Sequence, residues 1–406
     1  MASGIVCLAD EVLQGIALFL DVRSICSLDL TARSLHETLS VSPKLWEALC
    51  IRDFRIAPQA FPRLTAVWSR LYRRMHAPVV LTWGQSNNGR LGHDGYRNID
   101  RPRVLDTTPM GKIARITCSG FGMHSLTQKG DVWFWGSLDG HVTMPMTKIP
   151  LPEPCRSVSS GRTFGCALGD SGVAYAWSER RGVNVVRCNV LPDGSVTPVV
   201  AIVAGWTTVA MLHASGAITA CDVRNFDRLH AMKTFVLPVP DKAIAVACGA
   251  DFTAAITDCG HVYVWRGLQR QCSRLDDADG RPILTTHATA CHQNLSVYDQ
   301  ASCTVRCFHI DLHQMRETTP AELTGKQVCK VTHGDWHSGV LTSDGAVWTW
   351  GNGSEALGTG YHAGRVAAPT LVTQGLEGLF VFDIGFGGWH SAALAVALDD
   401  TVLATA

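Results

Sequence analysis

The stretch VCKVTHGDWHSGVLTSDGAVWTWG, from Val328 to Gly351, decides the fold predicted for this chain. It holds two runs of β-branched and apolar residues, separated by Ser343, Asp344 and Gly345. Asp-Gly between such runs is a strong hairpin signal, because a tight turn needs the positive φ angles that glycine adopts easily. The stretch is therefore predicted to form a pair of antiparallel strands.

Copies of this unit follow one another along most of the sequence. Lys112–Gly136 reads KIARITCSGFGMHSLTQKGDVWFWG, and Cys155–Trp177, Val199–Cys221 and Ile244–Trp265 are weaker copies. Strand ends in one register recur seven times, mostly at intervals of about 43 residues: Trp83, Trp135, Trp177, Cys221, Trp265, Cys307 and Trp350. A small residue precedes each hairpin: Ser119, Gly161, Gly205, Gly249, Cys291, Gly334 and Gly387.

Seven such units predict a seven-bladed β-propeller over residues 79–406. A single unit cannot bury both faces of its own sheet, and radial stacking solves that problem while protecting the strand edges. Val79–Gly84 lacks an upstream hairpin, and Phe380–Ala395 lacks a clear downstream Trp-Gly. The two are expected to share one blade and close the ring, with Val402–Ala404 as an alternative last strand.

Composition limits the classes of function. The 406 residues are 46% hydrophobic, and 35 basic residues balance 35 acidic ones. Nucleic acid and membrane are therefore not expected as partners. No apolar run reaches the ~18 residues of a membrane helix. The 15 cysteines are scattered and odd in number, which predicts reduced thiols in the cytoplasm, the nucleus or both.

The first 78 residues differ from the rest. Residues 8–54 are predicted to form three short helices, the first with Leu8, Val12, Leu13, Ile16, Phe19 and Leu20 at helical spacing. Residues 62–76 predict a linking helix with one apolar stripe, and Arg70, Arg73 and Arg74 lie mostly off it. The predicted domains are a helical region at 1–57, a linking helix at 58–78 and the propeller at 79–406.

The helical region resembles an F-box. That family's pattern is Leu-Pro-x-Glu, apolar residues, Leu-Asp, a later Leu-Trp and a closing Arg-Asp-Phe. The matching residues here are Leu8, Glu11, Leu13, Ile16, Leu20, Asp21, Leu28, Leu45, Trp46 and Arg52–Phe54. Ala9 stands in place of the family's proline, and Leu35 in place of a frequent tryptophan. The bare pattern also fits a structural cap on the propeller.

The F-box resemblance implies docking of the Skp linker protein and, through it, the cullin of an SCF (Skp–cullin–F-box) ubiquitin ligase. Exposed apolar side chains on short helices need a partner surface, and this partner would supply one. The residues expected to bind Skp are Leu8, Glu11, Leu13, Ile16, Leu20 and Trp46.

The repeats resemble the regulator-of-chromosome-condensation family. LTWGQSNNGRLGHDG (Leu81–Gly95) and VWTWGNGSEALGTG (Val347–Gly360) share its Trp-Gly, Asn-Gly and Leu-Gly usage, and Gly387–Ser391 carries its Gly-x-x-His-Ser element. The middle repeats match weakly. F-box, linking helix and propeller in this order resemble the yeast SCF-associated F-box adaptors.

No spacing points to catalysis or to a cofactor. Cys303, Cys307, His309 and His313 share one parity, but strand residues four apart are roughly 13 Å apart, too far for tetrahedral zinc. No Ser/His/Asp or Cys/His set is identifiable. The chain is therefore expected to be a non-enzymatic subunit without cofactor or metal.

The two residues after each small residue are expected to form short loops around one end of the ring. They include four aromatic residues and three charged ones, a mixture typical of protein-binding hot spots: Phe121, Arg162, Trp206, Asp251, Asp335, Trp336 and Trp389. Packing of each tryptophan between blades is the alternative.

Together these features predict a substrate-recognition adaptor of an SCF ubiquitin ligase, with the propeller recruiting a target protein for degradation. A guanine-nucleotide exchange factor for a small GTPase, or a chromatin-binding propeller, is the alternative that the repeat family brings.

Overall fold

The computed structural model describes residues 9–39, 42–56, 67–95, 97–178, 184–188, 197–223, 234–267, 272–353, 355–360 and 364–397. Its N-terminal part is helical: α1 (Asp10–Ala17), α2 (Val22–Asp29), α3 (Arg33–Leu39), α4 (Pro43–Phe54) and α5 (Val67–Arg74). The segment predicted as three helices holds four, because a turn at 30–32 separates α2 from α3. The Asp21 side chain caps α2 and the Ser42 side chain caps α4.

The rest of the chain forms seven four-stranded antiparallel sheets. The ring-closing sheet, blade 7, holds β1 (Val79–Gly84), β2 (Ile99–Leu105), β27 (Leu379–Phe386) and β28 (His390–Ala397). Blade 1 holds β3 (Ile113–Cys118), β4 (Gly122–Thr127), β5 (Val132–Gly136) and β6 (Met144–Lys148). Blade 2 holds β7 (Cys155–Ser160), β8 (Gly165–Gly169), β9 (Ala174–Ser178) and β10 (Asn184–Arg187).

The other four blades repeat this plan. Blade 3 holds β11 (Val199–Ala204), β12 (Thr208–His213), β13 (Ile218–Asp222) and β14 (Thr234–Leu237), and blade 4 holds β15 (Ala243–Cys248), β16 (Phe252–Thr257), β17 (Val262–Arg266) and β18 (Cys272–Arg274). Blade 5 holds β19 (Ala288–Cys291), β20 (Asn294–Asp299), β21 (Thr304–Ile310) and β22 (Met315–Glu317), and blade 6 holds β23 (Val328–His333), β24 (His337–Thr342), β25 (Val347–Asn352) and β26 (Arg365–Val372).

The predicted seven-bladed propeller after an N-terminal helical region is confirmed. Blade 7 closes the ring with strands from both ends of the propeller, in the order β2-β1-β28-β27. Val79 pairs with Ala395 and Gly84 with His390, so β1 and β2 supply the outer strands that the last hairpin lacks. The alternative strand at Val402–Ala404 lies outside the described residues.

Glycine sets the repeat at two positions. Glycines of five hairpin turns have φ between 83° and 90°, where a side chain would be strained: Gly130, Gly172, Gly216, Gly260 and Gly345. The residue before each hairpin is small for a different reason, namely lack of space. A Cβ on Gly334 would collide with the Gly387 carbonyl of the next blade, and one on Gly387 with the Ser119 carbonyl.

This close approach allows backbone hydrogen bonds between successive blades at one end of the ring. The amide of Trp206 donates to the Gly249 carbonyl (3.3 Å), and the amide of Asp335 donates to that of Gly387 (3.1 Å). Gly388 donates to Ser119 in the same way. The loops that follow the small residues are therefore held in a fixed circle.

Buried histidines join blades deeper in the ring. His124 on β4 bonds Ser160 on β7 (2.8 Å), and Ser296 on β20 bonds His333 on β23 (2.9 Å). The first junction has histidine on the earlier blade and the second has it on the later blade. His337 also bonds Ser391 across blades 6 and 7 at 2.7 Å.

The helical region shares one hydrophobic core with blades 7 and 1. Trp68 and Leu71 on α5, with Met75 directly after it, belong to the same buried cluster as Phe382 and Val396. The apolar stripe predicted for the linking helix therefore packs inward. Residues 58–66 of the predicted linking segment lie outside the described residues. No helix in the described part of the chain combines the length and the hydrophobicity needed to cross a membrane.

Replacing Gly334 by alanine is expected to lower the free energy of unfolding by about 1–3 kcal/mol, the usual cost of overpacking. The added Cβ meets the Gly387 backbone, which cannot move aside cheaply. Gly364→Ala is the control, because its Cβ would meet nothing within 4 Å. Denaturant titration measures both. Equal stability of the two variants would contradict the assigned role of Gly334.

The propeller is expected to lose stability in acid. Burial lowers the pKa of His124 and His337 to about 3 and that of His333 to about 4, from an ordinary 6.5. Below pH 6.5 the unfolded chain therefore binds more protons than the folded one. The stabilising contribution is full above that pH and is lost as the pH falls toward 3–4.

Each buried histidine would lower the free energy of unfolding by about 2 kcal/mol between pH 6.5 and pH 5. Denaturant titrations at several pH values measure this slope. His333→Gln should reduce this slope, because it removes one buried imidazole whose pKa is lowered. A slope that is unchanged in His333→Gln would show that this histidine is not the proton acceptor.

Candidate protein-binding sites

The first candidate surface is the outer face of α1. Val12, Ile16 and Phe19 stand about one helical turn apart and are 48%, 46% and 92% exposed. Val12 and Ile16 lie on one side of α1, and Phe19 lies in the turn directly after it. Leu30, at the end of α2, is also exposed. We call Val12, Ile16 and Phe19 the α1 face.

The residues expected to bind Skp divide into two groups. Glu11 and Ile16 are exposed, whereas Leu13 and Trp46 are buried in the helical core and Leu20 is half-buried against it. The Trp46 indole donates to the Leu39 carbonyl inside the bundle at 3.0 Å. Leu8 lies outside the described residues. Skp binding by these residues stays a prediction, and burial makes Leu13 and Trp46 structural supports of α1.

Val12 and Phe19 are surface residues that the F-box pattern did not single out. The sequence did carry a signal, because α1 has more apolar residues at helical spacing than one buried stripe can absorb. Those that face inward complete the core, and the remainder form the α1 face.

The closing Arg-Asp-Phe of the F-box pattern has a structural explanation. The Arg52 guanidinium donates to the carbonyls of Leu18 and Leu20, which holds the end of α1. The Asp53 carboxylate accepts from the Tyr72 hydroxyl at 2.6 Å, and Phe54 packs against the Tyr72 ring. Burial and this hydrogen bond raise the pKa of Tyr72. The motif thereby ties α1, α4 and α5 together.

Polar contacts fix the helices to one end of the propeller. Arg55 forms a bidentate ion pair with Asp170 at 2.7 and 2.8 Å. The Arg115 guanidinium donates to the Arg55 and Ile56 carbonyls, and the Gln128 amide donates to Met75. Asp170 and Gln128 follow β8 and β4, at the ends of these strands opposite the loops after the small residues. The helices therefore occupy one end of the ring.

The second candidate surface is the opposite end of the ring. The structure brings six of the seven residues expected there into contact around the channel opening, which we call the mouth: Phe121, Arg162, Trp206, Asp335, Trp336 and Trp389. Asp251 is exposed on blade 4, close enough to influence the pKa of His292. Target binding by these residues stays a prediction.

Aromatic rings form a continuous strip along the mouth. The rings of Trp206 and His292 stack with centroids 4.6 Å apart, and those of Trp336 and Trp389 stack at 5.6 Å. His292 links the two pairs, since its centroid lies 6.0 Å from that of Trp336. Trp336 is 43% exposed. The tryptophans thus pack on one another across blades and still present apolar surface to solvent.

An ion pair crosses the mouth from blade 2 to blade 6. Arg162 Nη1 lies 3.3 Å from Asp335 Oδ2, and the guanidinium sits 4.1 Å from the Trp206 ring centroid. Burial raises the pKa of the Asp335 carboxyl, and the charge of Arg162 opposes that rise. The space beneath is about 20 Å³, room for about one water. A partner would therefore bind across the mouth and not within the channel.

His292 and Arg90 contribute to the mouth although the predicted set did not include them. In blade 5, His292 follows the small residue Cys291, as Asp335 follows Gly334 in blade 6. The repeat register alone therefore indicated that His292 lies at the mouth. Arg90 comes from the segment between β1 and β2, and its guanidinium carbon lies 5.6 Å from the Phe121 ring centroid. Arg90 does not occupy a repeated loop position, so the repeat pattern could not predict this contact.

The side chains of Cys303, Cys307, His309 and His313 do not converge on a metal site. Cys307 is buried on β21 next to the Ser296 hydroxyl, and Cys303 and His313 lie in the turns on either side of the strand. Within the described ranges, no group of three or more His, Cys, Asp or Glu side chains could hold a metal ion. The cysteines of these ranges are free thiols.

Comparison with known proteins agrees with the fold. The family model of the regulator of chromosome condensation (RCC1) repeat matches residues 344–394. The propeller is similar in fold to Prp20p from Saccharomyces cerevisiae, with a TM-score of 0.66, 17% identity and coverage of 84% of this chain and 97% of that one. Human WBSCR16 is similar with a TM-score of 0.65 and 17% identity, over 80% of this chain and all of that one.

Among curated proteins, the chain is 22% identical to the F-box protein pof9 of Schizosaccharomyces pombe, over 96% of this chain and 90% of that protein. It is 24% identical to the human E3 ubiquitin-protein ligase HERC2 over 77% of its own length. That match spans only 5% of the length of HERC2. The bovine secretion-regulating guanine nucleotide exchange factor is 22% identical over 68% of this chain and 48% of its own.

These findings define the class of protein. The chain has the organisation of an F-box protein whose C-terminal part is an RCC1-type seven-bladed propeller, and the expected resemblance is confirmed. The structure gives it two candidate protein-binding surfaces, the α1 face and the mouth.

Proposed function

We propose that this chain is the substrate-recognition adaptor of an SCF ubiquitin ligase. The helical region would dock the Skp linker protein and through it the cullin, and the propeller would hold a target protein for ubiquitination and proteasomal degradation. The observation that carries the proposal is the exposed α1 face, in a chain that matches an F-box protein over 96% of its length.

The proposed Skp contact has a physical basis. A side chain such as Phe19, 92% exposed, gains roughly 1.5–3 kcal/mol when it is fully buried. The α1 face stands at the start of the helical region, and Arg52 holds it rigid against α4. A preformed apolar face of this kind suits a helical partner.

The position of the mouth suits target recruitment. The helices occupy one end of the ring and the mouth the other, so both surfaces are free to bind at once. Arg55, Asp170 and Arg115 fix the angle between them. The adaptor would then act without covalent chemistry, since it raises the effective concentration of target lysines near the ubiquitin-conjugating enzyme. Cytoplasm, nucleus or both are the proposed locations.

Ile16→Asp together with Phe19→Asp is expected to weaken binding of purified Skp at least ~100-fold, because two apolar contacts worth about 3 kcal/mol or more are lost. Titration calorimetry of the full chain measures this. Val104→Asp, a comparably exposed apolar residue on β2, is the control. Unchanged Skp affinity in the double variant would reject the docking surface. Leu13 is avoided, because its substitution would also disrupt the core.

Trp336→Ala is expected to abolish target recruitment while leaving Skp affinity unchanged. Truncation of a central aromatic residue commonly costs ~2 kcal/mol or more in binding. Proximity labelling with and without proteasome inhibition identifies proteins near the chain that are degraded only when the α1 face is intact. Trp336→Ala should stop the degradation of these proteins. Trp348→Ala, half-buried on β25, is the matched control. Destabilisation of Trp336→Ala beyond that of Trp348→Ala would instead make Trp336 a core residue.

A second candidate function is nucleotide exchange on a small GTPase, or chromatin binding. The match to the secretion-regulating guanine nucleotide exchange factor favours nucleotide exchange. Release of a fluorescent nucleotide from a Ran-type GTPase by the full chain separates the two. Acceleration that survives the Ile16→Asp and Phe19→Asp changes would favour an exchange factor.

A further inference from the structure

Two arginines flank one aromatic ring beside the mouth. The guanidinium carbons of Arg90 and Arg162 lie 5.6 Å and 5.8 Å from the centroid of Phe121. They come from different blades, since Arg90 follows β1 and Arg162 follows β7. Two like charges sharing one ring are unfavourable unless negative charge lies nearby.

Arg90 is a buried cation, and among the described residues one of its nitrogen atoms has no hydrogen-bond acceptor. It is only 3% exposed. Nε donates to the Asn87 carbonyl and Nη2 to the Asn88 side chain, whereas Nη1 has no hydrogen-bond partner among the described residues. Burial lowers the pKa of Arg90 to about 10, so the group stays charged at neutral pH. A buried, incompletely paired charge is costly, and a nearby anion would offset that cost.

Arg162 has donors to spare. Its side chain is 31% exposed, and within the described ranges its one ion pair joins Nη1 to Asp335 at 3.3 Å. A guanidinium carries five N–H donors and can hold a carboxylate or phosphate with two parallel bonds. A single contact of 3.3 Å uses little of that capacity. The remaining donors lie at the edge of the aromatic strip, where solvent and partners have access.

Among the described carboxylates, Asp335 is the one that interacts with both arginines. Asp335 forms an ion pair with Arg162, and its negative charge also stabilises the protonated form of Arg90. Asp139, on the loop whose Gly140 approaches Phe121, accepts hydrogen bonds from the amides of His141 and Val142 and from the Ser137 hydroxyl. Asp251 faces His292 on the far side, and burial lowers the pKa of His292, which keeps that ring neutral. Asp335 is therefore the carboxylate that the two arginines share, and neither Asp139 nor Asp251 forms an ion pair with them among the described residues.

We propose that the mouth recognises an anionic side chain of the target, a carboxylate or a phosphate, next to a bulky apolar side chain. The anion binds Arg162 in the field of Arg90, and the apolar side chain packs on the exposed faces of Trp336 and Trp389. This inference rests on the proposed function, because it specifies what the target-recruiting surface reads.

Biotinylated nonapeptide pools test the inference directly. Each pool has a fixed central residue, either Glu, phosphoserine, Gln or Arg, and random residues elsewhere. The full chain should bind the Glu or the phosphoserine pool at least ~10-fold more tightly than the Gln pool, as expected for hydrogen bonds to a charged group. The preferred member of the first two distinguishes carboxylate from phosphate. The preference should shrink as salt is added.

Variants assign the effect to the mouth. Arg162→Gln should remove the preference, whereas Arg281→Gln, on an exposed arginine of blade 4, should keep it. Asp335→Asn should strengthen binding of the anionic pool, since it removes the competing carboxylate. Thermal melting and Skp affinity confirm that each variant is folded.

The outcomes separate this inference from the proposed function. Equal binding of the Gln and anionic pools, or no binding of either anionic pool, overturns the anion site. Preference for the Arg pool, weakened by Asp335→Asn, would also overturn it and indicate a cation site. In each of these cases target recruitment stands if Trp336→Ala still stops target degradation, and it falls if that variant degrades targets normally.

Discussion

The pairing of β1 with β28 is the interaction on which the rest of the structure depends. Six register pairs join the first strand of the propeller to its last, and without them blade 7 would be split and the ring would have two open edges. The same pairing carries the helical region, because α5 leads directly into β1 and packs against blade 7. Ring closure and attachment of the helices are therefore one structural event. Loss of either would expose the shared core.

This closure places the two candidate surfaces at opposite ends of one rigid body. Strands such as β4 run from the mouth to the end that contacts the helices. The bidentate contact between Arg55 and Asp170 adds little stability, because Asp170 is well exposed to solvent. Its geometric effect is larger, since two parallel bonds define an orientation that a single contact would leave free.

Much of the fold could be predicted from residues that obey the repeat. Gly345 and its equivalents needed only local turn geometry, and the sharing of blade 7 followed from an unmatched strand at each end. The helix count failed because no residue at 30–32 is a strong helix breaker. The α1 face could not be separated from the core by periodicity, since Leu13 and Phe19 belong to one apolar run.

At the mouth, the repeat register predicted the positions of the loops correctly. Arg90 and the ion pair between Arg162 and Asp335 escaped prediction, because they join blades far apart in sequence.

The reversed histidine and serine pairs have a consequence for the order of the blades. A junction holds one imidazole and one hydroxyl, whose combined reach fills the space between neighbouring sheets. If blade 6 followed blade 1, His124 would meet His333, and two rings would occupy a gap sized for one. If blade 2 followed blade 5, Ser296 would face Ser160, and two short side chains would leave that gap unfilled. Blades of similar backbone are thus not interchangeable, and these pairs act as labels that specify which neighbour each blade accepts.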